Sequence, residues 1–125
     1  MFRLKKSLAN TTPSIEYFEG TEGEVFTYGE ALVIKDGRLS QCAPTEKPTF
    51  ISLGDVSCED GAYLIPVMRV FNFYIFDCPF DEDTSSLKIG DKVTLDPDCD
   101  GVTANTSGGV AEIVEIEDGY VSVIF

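Results

Sequence analysis

Two-residue alternation dominates this chain, and helical periodicity is almost absent. Short runs rich in Val, Ile, Phe, Tyr and Thr are separated by turns bearing Gly, Asp or Pro, which is the grammar of β-strands. Such runs occur at SIEYF, EVFT, ALVIK, RLSQC, TFISLG, AYLIPVMRV, FNFYIF, KVTLD, GVTAN, VAEIVEIE and YVSVIF. Asp36-Gly37, Asp60-Gly61 and Asp118-Gly119 supply tight hairpin-type turns, because glycine takes positive φ without steric cost. The best helical candidate, SSLKIGDKV, is stopped by Gly90 after about one turn. Many short strands at these intervals predict an all-β chain folded as a sandwich or a barrel.

The chain also repeats itself. YGEALVIKDGRLSQCA (Tyr28 to Ala43) aligns with IGDKVTLDPDCDGVTANT (Ile89 to Thr106), and ISLGDVSCEDGAYLIPV (Ile51 to Val67) aligns with AEIVEIEDGYVSV (Ala111 to Val123). Two strand-hairpin units of this kind are expected to close on one another around a single core. The repeat bears on DPDCDG, Asp96 to Gly101, which opens like a calcium loop of the EF-hand type. Asp96, Asp98 and Asp100 hold the first three ligand positions, but position 12 is Ser107, and the flanking segments read as strands. An EF-hand needs helices and a bidentate glutamate there. The three aspartates are therefore weak metal candidates, and an acidic hairpin turn is the simpler expectation.

Asp and Glu number 22 against 9 Lys and Arg, a net charge of −13 over 125 residues. That balance excludes nucleic acid and anionic membrane as expected partners, because phosphate binding needs a basic surface. Three of the cations, Arg3, Lys5 and Lys6, lie in the first six residues. Residues 1–12 are expected as a mobile basic arm, able to order on an acidic partner, and residues 13–125 as one barrel domain. Removing the arm is then expected to leave the body folded. No signal-peptide core or transmembrane run is expected. Cys42, Cys58, Cys78 and Cys99 form no CxxC pair and read as free, largely buried thiols.

Catalytic signals are missing. The chain has no histidine, and no GxSxG, Walker A or GxGxxG motif. The acidic stretch FDEDTSS, Phe80 to Ser86, reads as a solvated loop joining the two units. No enzyme activity and no cofactor is expected. The aromatic run VFNFYIF has two readings, since it is apolar on both faces of a strand. Either it is buried throughout, or Phe71, Phe73, Tyr74 and Phe76 present a self-association surface. Pro66 in AYLIPVM points to an edge strand or a bulge.

YGEALVIKDGRLSQCA, the TFISLG to AYLIPV pair and the stretch from IGDKV to YVSVIF together resemble the small head-decoration (capsid cement) proteins of tailed bacteriophages. The resemblance implies a β-barrel or β-tulip body that decorates the capsid exterior of a virion as a homotrimer. It also implies that such a body binds between subunits of the major capsid protein. It assigns docking to the N-terminal arm, through Phe2, Arg3, Leu4, Lys5 and Lys6. Another phage assembly part, such as a head-fibre base or a neck or tail adaptor, fits the same pattern. So do a small SH3-like protein-interaction module and a calcium-dependent module.

Overall fold

In the computed structural model, which describes residues 1–125, there are twelve strands, all paired antiparallel; ten overlap expected runs, and those at Arg3–Ser7 and Val56–Ser57 do not. They are β1 (Arg3–Ser7), β2 (Ile15–Glu19), β3 (Val25–Phe26), β4 (Ala31–Lys35), β5 (Arg38–Gln41), β6 (Phe50–Ser52), β7 (Val56–Ser57), β8 (Leu64–Arg69), β9 (Tyr74–Pro79), β10 (Lys92–Val93), β11 (Ala111–Glu117) and β12 (Tyr120–Ile124). One five-stranded sheet runs β2-β8-β6-β4-β5 and a second runs β1-β9-β12-β11-β10, while β3 and β7 make a short ribbon. The only helical turn is a 3-10 segment at Thr84–Ser86, started by the Asp83 carboxylate accepting from the Ser85 amide at 2.9 Å. It overlaps the first two residues of SSLKIGDKV, the stretch expected to carry a helical turn, and goes no further.

The internal repeat is physical. Gly29 N donates to Ser52 O, and Gly90 N donates to Ile113 O, both at 2.8 Å. Ser52 N donates back to Glu30 O at 2.9 Å, and Ile113 N to Asp91 O at 2.8 Å. Thr49 N to Leu32 O and Val110 N to Val93 O complete a matched set. In each unit a glycine at positive φ, Gly29 or Gly90, precedes the acid. The acid's carboxylate then accepts from the amide three residues before it, Thr27 for Glu30 and Lys88 for Asp91. The Gly-acid signature thus codes a self-satisfied turn into a strand.

The two units share one main core, and the first unit holds a second cluster of its own. One cluster fills the space between the sheets, with Ala31, Ile51 and Met68 from the first meeting Phe76, Val93, Ala111, Ile113, Val121 and Val123 of the second. The opposite face of the first sheet packs Leu32, Phe50, Ile65 and Val67 against Phe26 and Cys58 of the β3 and β7 region. This second cluster exists because the first sheet curls on itself. A parallel bridge joins Gly20, just after β2, to Leu39 in β5. A Cβ on Gly20 would lie 2.6 Å from both Ile65 Cδ1 and Phe26 Cε2, so only glycine fits where the curl closes.

Several expectations are corrected. Residues 1–12 are not a free arm: Arg3–Ser7 is a strand on β9, and Phe2 is 1% exposed in the main core. An inward Phe2 and a half-buried Leu4 outweigh the neighbouring cations, because burying one such ring is worth roughly 2 kcal/mol. Pro66 lies in a central strand, between β2 and β6. Its missing N–H falls where β6 has already ended, and its carbonyl still accepts from Leu53 N at 2.8 Å. GVTAN contributes only the bridge of Val102 to Leu95. Asp60-Gly61 makes no hairpin, because β7 pairs with β3 rather than with β8. FDEDTSS joins β9 to β10 inside the second unit, with Phe80 buried.

Candidate interaction surfaces

The basic residues at the start of β1 scatter on folding. Lys5 is bonded to Glu115 and lies 3.5 Å from Glu117, and the Glu115 carboxylate raises its pKa. Arg3 stands 4.0 Å from Asp77. Phe2 is sealed in the core, its ring edge-on to Phe125 at 5.2 Å, and Leu4 is half-buried. Of the five expected docking residues, only Arg3 and Lys6 project freely enough to meet another surface.

The aromatic run splits at a turn. Tyr74 and Phe76 point into the main core at 3% and 0% exposure, which rules them out as an exposed self-association surface. Phe71 and Phe73 precede β9 and stack on each other at 5.1 Å. With Thr11–Ser14, Glu16 and Arg69 they line an open groove of about 420 Å³. Arg69 grips Glu16 through two parallel bonds of 2.8 and 3.0 Å and lies 4.9 Å over the Phe50 ring. That guanidinium holds the Glu16 carboxyl below its usual range.

A second cleft, of about 370 Å³, lies where the two sheets diverge. Leu4, Ile15, Tyr28, Leu53 and Met68 are among its lining side chains. Along β2 the strip continues with Tyr17, which pairs with Pro66, and with Leu64 opposite Glu19. Ile15, Tyr17 and Leu64 are each close to 60% exposed. These residues occupy the same face of the first sheet as Ile51 and Met68, but the second sheet stops short of them. The alternation in IEYFE was legible as a strand, yet which of its faces is covered is set by a sheet built from residues far along the chain.

The DPDCDG turn brings Asp96 and Asp100 together and leaves Asp98 outside. Asp96 accepts from the Asp100 amide at 3.2 Å, and burial, with the Asp100 charge second, raises its carboxyl pKa. Asp98 is exposed, and the three carboxylates do not converge as a ligand set. Cys99 takes φ of 54° in the turn and turns its thiol inward, 3.7 Å from the buried carboxylate of Glu30. Gln41 Nε2 also donates to Glu30, at 2.7 Å. All four cysteines are free and buried. Burial pushes the Cys42 and Cys78 thiols up to about 12.

No family model and no curated protein matches this sequence. Among solved structures, the chain is similar to the N base of the head fiber protein gp8.5 of bacteriophage phi29. The two superpose with a TM-score of 0.58 over 90% of this chain and 94% of the other, at 18% sequence identity. At that identity the likeness is one of fold.

Proposed function

We propose that this chain is a non-enzymatic structural component of a phage head. The supporting observation is that its fold corresponds, over nearly the whole of both chains, to the base domain of a phage head fiber. The absence of histidine and of a catalytic motif fits a binding role. An acidic surface of net charge −13 keeps closely spaced copies soluble and discourages particles from sticking together. The partner proposed is the major capsid protein, and the place is the capsid exterior.

Decoration of the lattice and the base of a head fiber are two forms of this role. The likeness to a head-fiber base favours the second. Quantitative mass spectrometry of purified particles separates them. A ratio near one copy per coat subunit means decoration. A few copies per particle means a fiber base or a neck or tail part. Absence from particles overturns the structural-component reading.

A further inference from the structure

Two sheet edges stand open, β1 and the Ile15–Tyr17 part of β2 ahead of the Gly20–Leu39 bridge, and they are built differently. An open edge is a template for pairing, and proteins blunt it with charge, bulges or proline. β1 is blunted: Arg3, Lys5 and Lys6 lie along it, and its register slips between Leu4 and Lys6. β2 has none of these protections. Its register with β8 is unbroken from Ile15 to Glu19, and it contains no proline. Its two acids are already neutralised within the molecule, Glu16 by Arg69 and Glu19 by Arg38 at 3.5 Å.

The hydrogen-bond parity of β2 fixes what its edge offers. Gly20 N donates to Tyr63 O, so the main-chain groups of Phe18 and Glu16 also face β8. The intervening residues Ile15 and Tyr17 therefore turn their N–H and C=O groups to the open edge, while Glu19 lies beside the Gly20–Leu39 bridge to β5. Ile15 and Tyr17 also place their side chains on the uncovered apolar strip beside Leu64, with Tyr28 across the cleft. At ~200 Å² for a fully exposed large side chain, these four residues leave roughly 400 Å² of apolar surface open. A stable interface buries ~800 Å² per partner around an apolar centre, so the strip has the size of such a centre.

We infer that this strip is where a second copy of the chain packs. The choice of partner follows from charge. Two bodies of net charge −13 repel wherever acidic surface meets acidic surface. They tolerate contact only at a patch that is apolar and locally neutral, and β2 with its two internal ion pairs is such a patch. A basic partner is drawn instead to the unpaired acids elsewhere, such as Asp81, Glu82, Asp96 and Asp100, which line one groove. The inference extends the structural-component reading, but it concerns the isolated protein, so either can fail alone.

The test is the mass in solution, by light scattering and sedimentation, of the parent and of Ile15→Glu/Tyr17→Glu. The parent is expected at an integer multiple of 13.7 kDa. The double variant is expected as a monomer, with association weakened at least a hundredfold and the β-sheet circular dichroism unchanged. Both positions are mostly exposed, so folding does not depend on them. Leu64→Glu is a second, independent probe of the strip, and Phe71→Glu tests the aromatic groove instead. A parent that stays monomeric at hundreds of micromolar overturns the inference. So does an oligomer that survives the double variant, or one dispersed by Phe71→Glu alone.

Discussion

Replacing Phe2 by alanine is the sharpest test of how this chain is held together. Phe2 is 1% exposed, its ring stands edge-on to Phe125 at 5.2 Å, and Phe125 lies 5.7 Å from Phe76. Its amide donates to Gly29 O at 2.9 Å, so the residue ties the start of β1 to the first unit while its ring seals the second. Truncating a buried phenylalanine costs ~3–5 kcal/mol, the lost transfer energy plus the cavity. Unfolding entropy is about 2.1 cal/mol/K per residue near 60 °C, or ~0.26 kcal/mol/K for a chain of this length. The Tm is therefore expected to fall by ~11–19 °C. Calorimetry measures this directly, and urea unfolding should show a lower midpoint with an unchanged m-value. Phe125→Ala in the same background should be non-additive with Phe2→Ala, by about 0.5–1.5 kcal/mol for the edge-on ring pair. Lys6→Ala is the surface control, expected within ~0.5 kcal/mol of the parent. A Tm for Phe2→Ala within ~3 °C of the parent refutes the seating of the N-terminal strand and restores the mobile arm.

Gly20→Ala is expected to cost ~1–3 kcal/mol, because the new methyl must displace Ile65 and Phe26 where β2 meets β5; a shift in urea midpoint measures it, and no shift means the curl is looser than described. The thiols set an alkaline limit. Burial raises Cys42 and Cys78 from 9.0 to about 12, so between those values the unfolded chain has lost protons that the folded chain keeps, and stability falls as pH rises. Burial raises the Cys99 thiol as well, so three such groups steepen the loss by ~4 kcal/mol per pH unit, and Cys78→Ala should remove about a third of that slope between pH 9 and 11. The same burial should leave the native thiols almost unreactive to a disulfide reagent at pH 8, whereas unfolding releases all four. Asp100→Asn removes the like charge beside Asp96, so it should lower the Asp96 carboxyl pKa and raise the Tm at pH 7; a proton-coupled NMR titration that leaves Asp96 unmoved would falsify the pairing.

Local grammar carried much of this fold in plain view. The Asp36-Gly37 and Asp118-Gly119 turns close the β4-β5 and β11-β12 hairpins because two residues and a left-handed glycine suffice to reverse a strand. The repeat is equally local in origin: Gly29-Glu30 and Gly90-Asp91 each bend the chain and satisfy their own turn. Composition marked the acidic surface, and the missing histidine marked the lack of an obvious catalytic base.

The candidate surfaces were less legible, because exposure is a property of pairs of elements distant in sequence. RLKKS reads as a solvated tail until β9, some seventy residues later, offers an edge that Phe2 and Leu4 can seal. VFNFYIF reads as one two-faced strand, but the turn before β9 parts Phe71 and Phe73 from Tyr74 and Phe76; the main core buries the second pair fully, with Phe73 half-buried against it and Phe71 exposed. Pro66 reads as an edge marker, and only the length of β6 makes it harmless in a central strand. Most strands, the Asp36-Gly37 and Asp118-Gly119 hairpin turns, the duplicated unit and the charge were legible from sequence alone, since each depends on backbone preferences and side-chain alternation over a few residues. The tertiary structure decided which faces stay open, Ile15 and Tyr17 above all. An apolar side chain is core or interface according to whether another sheet reaches far enough to cover it.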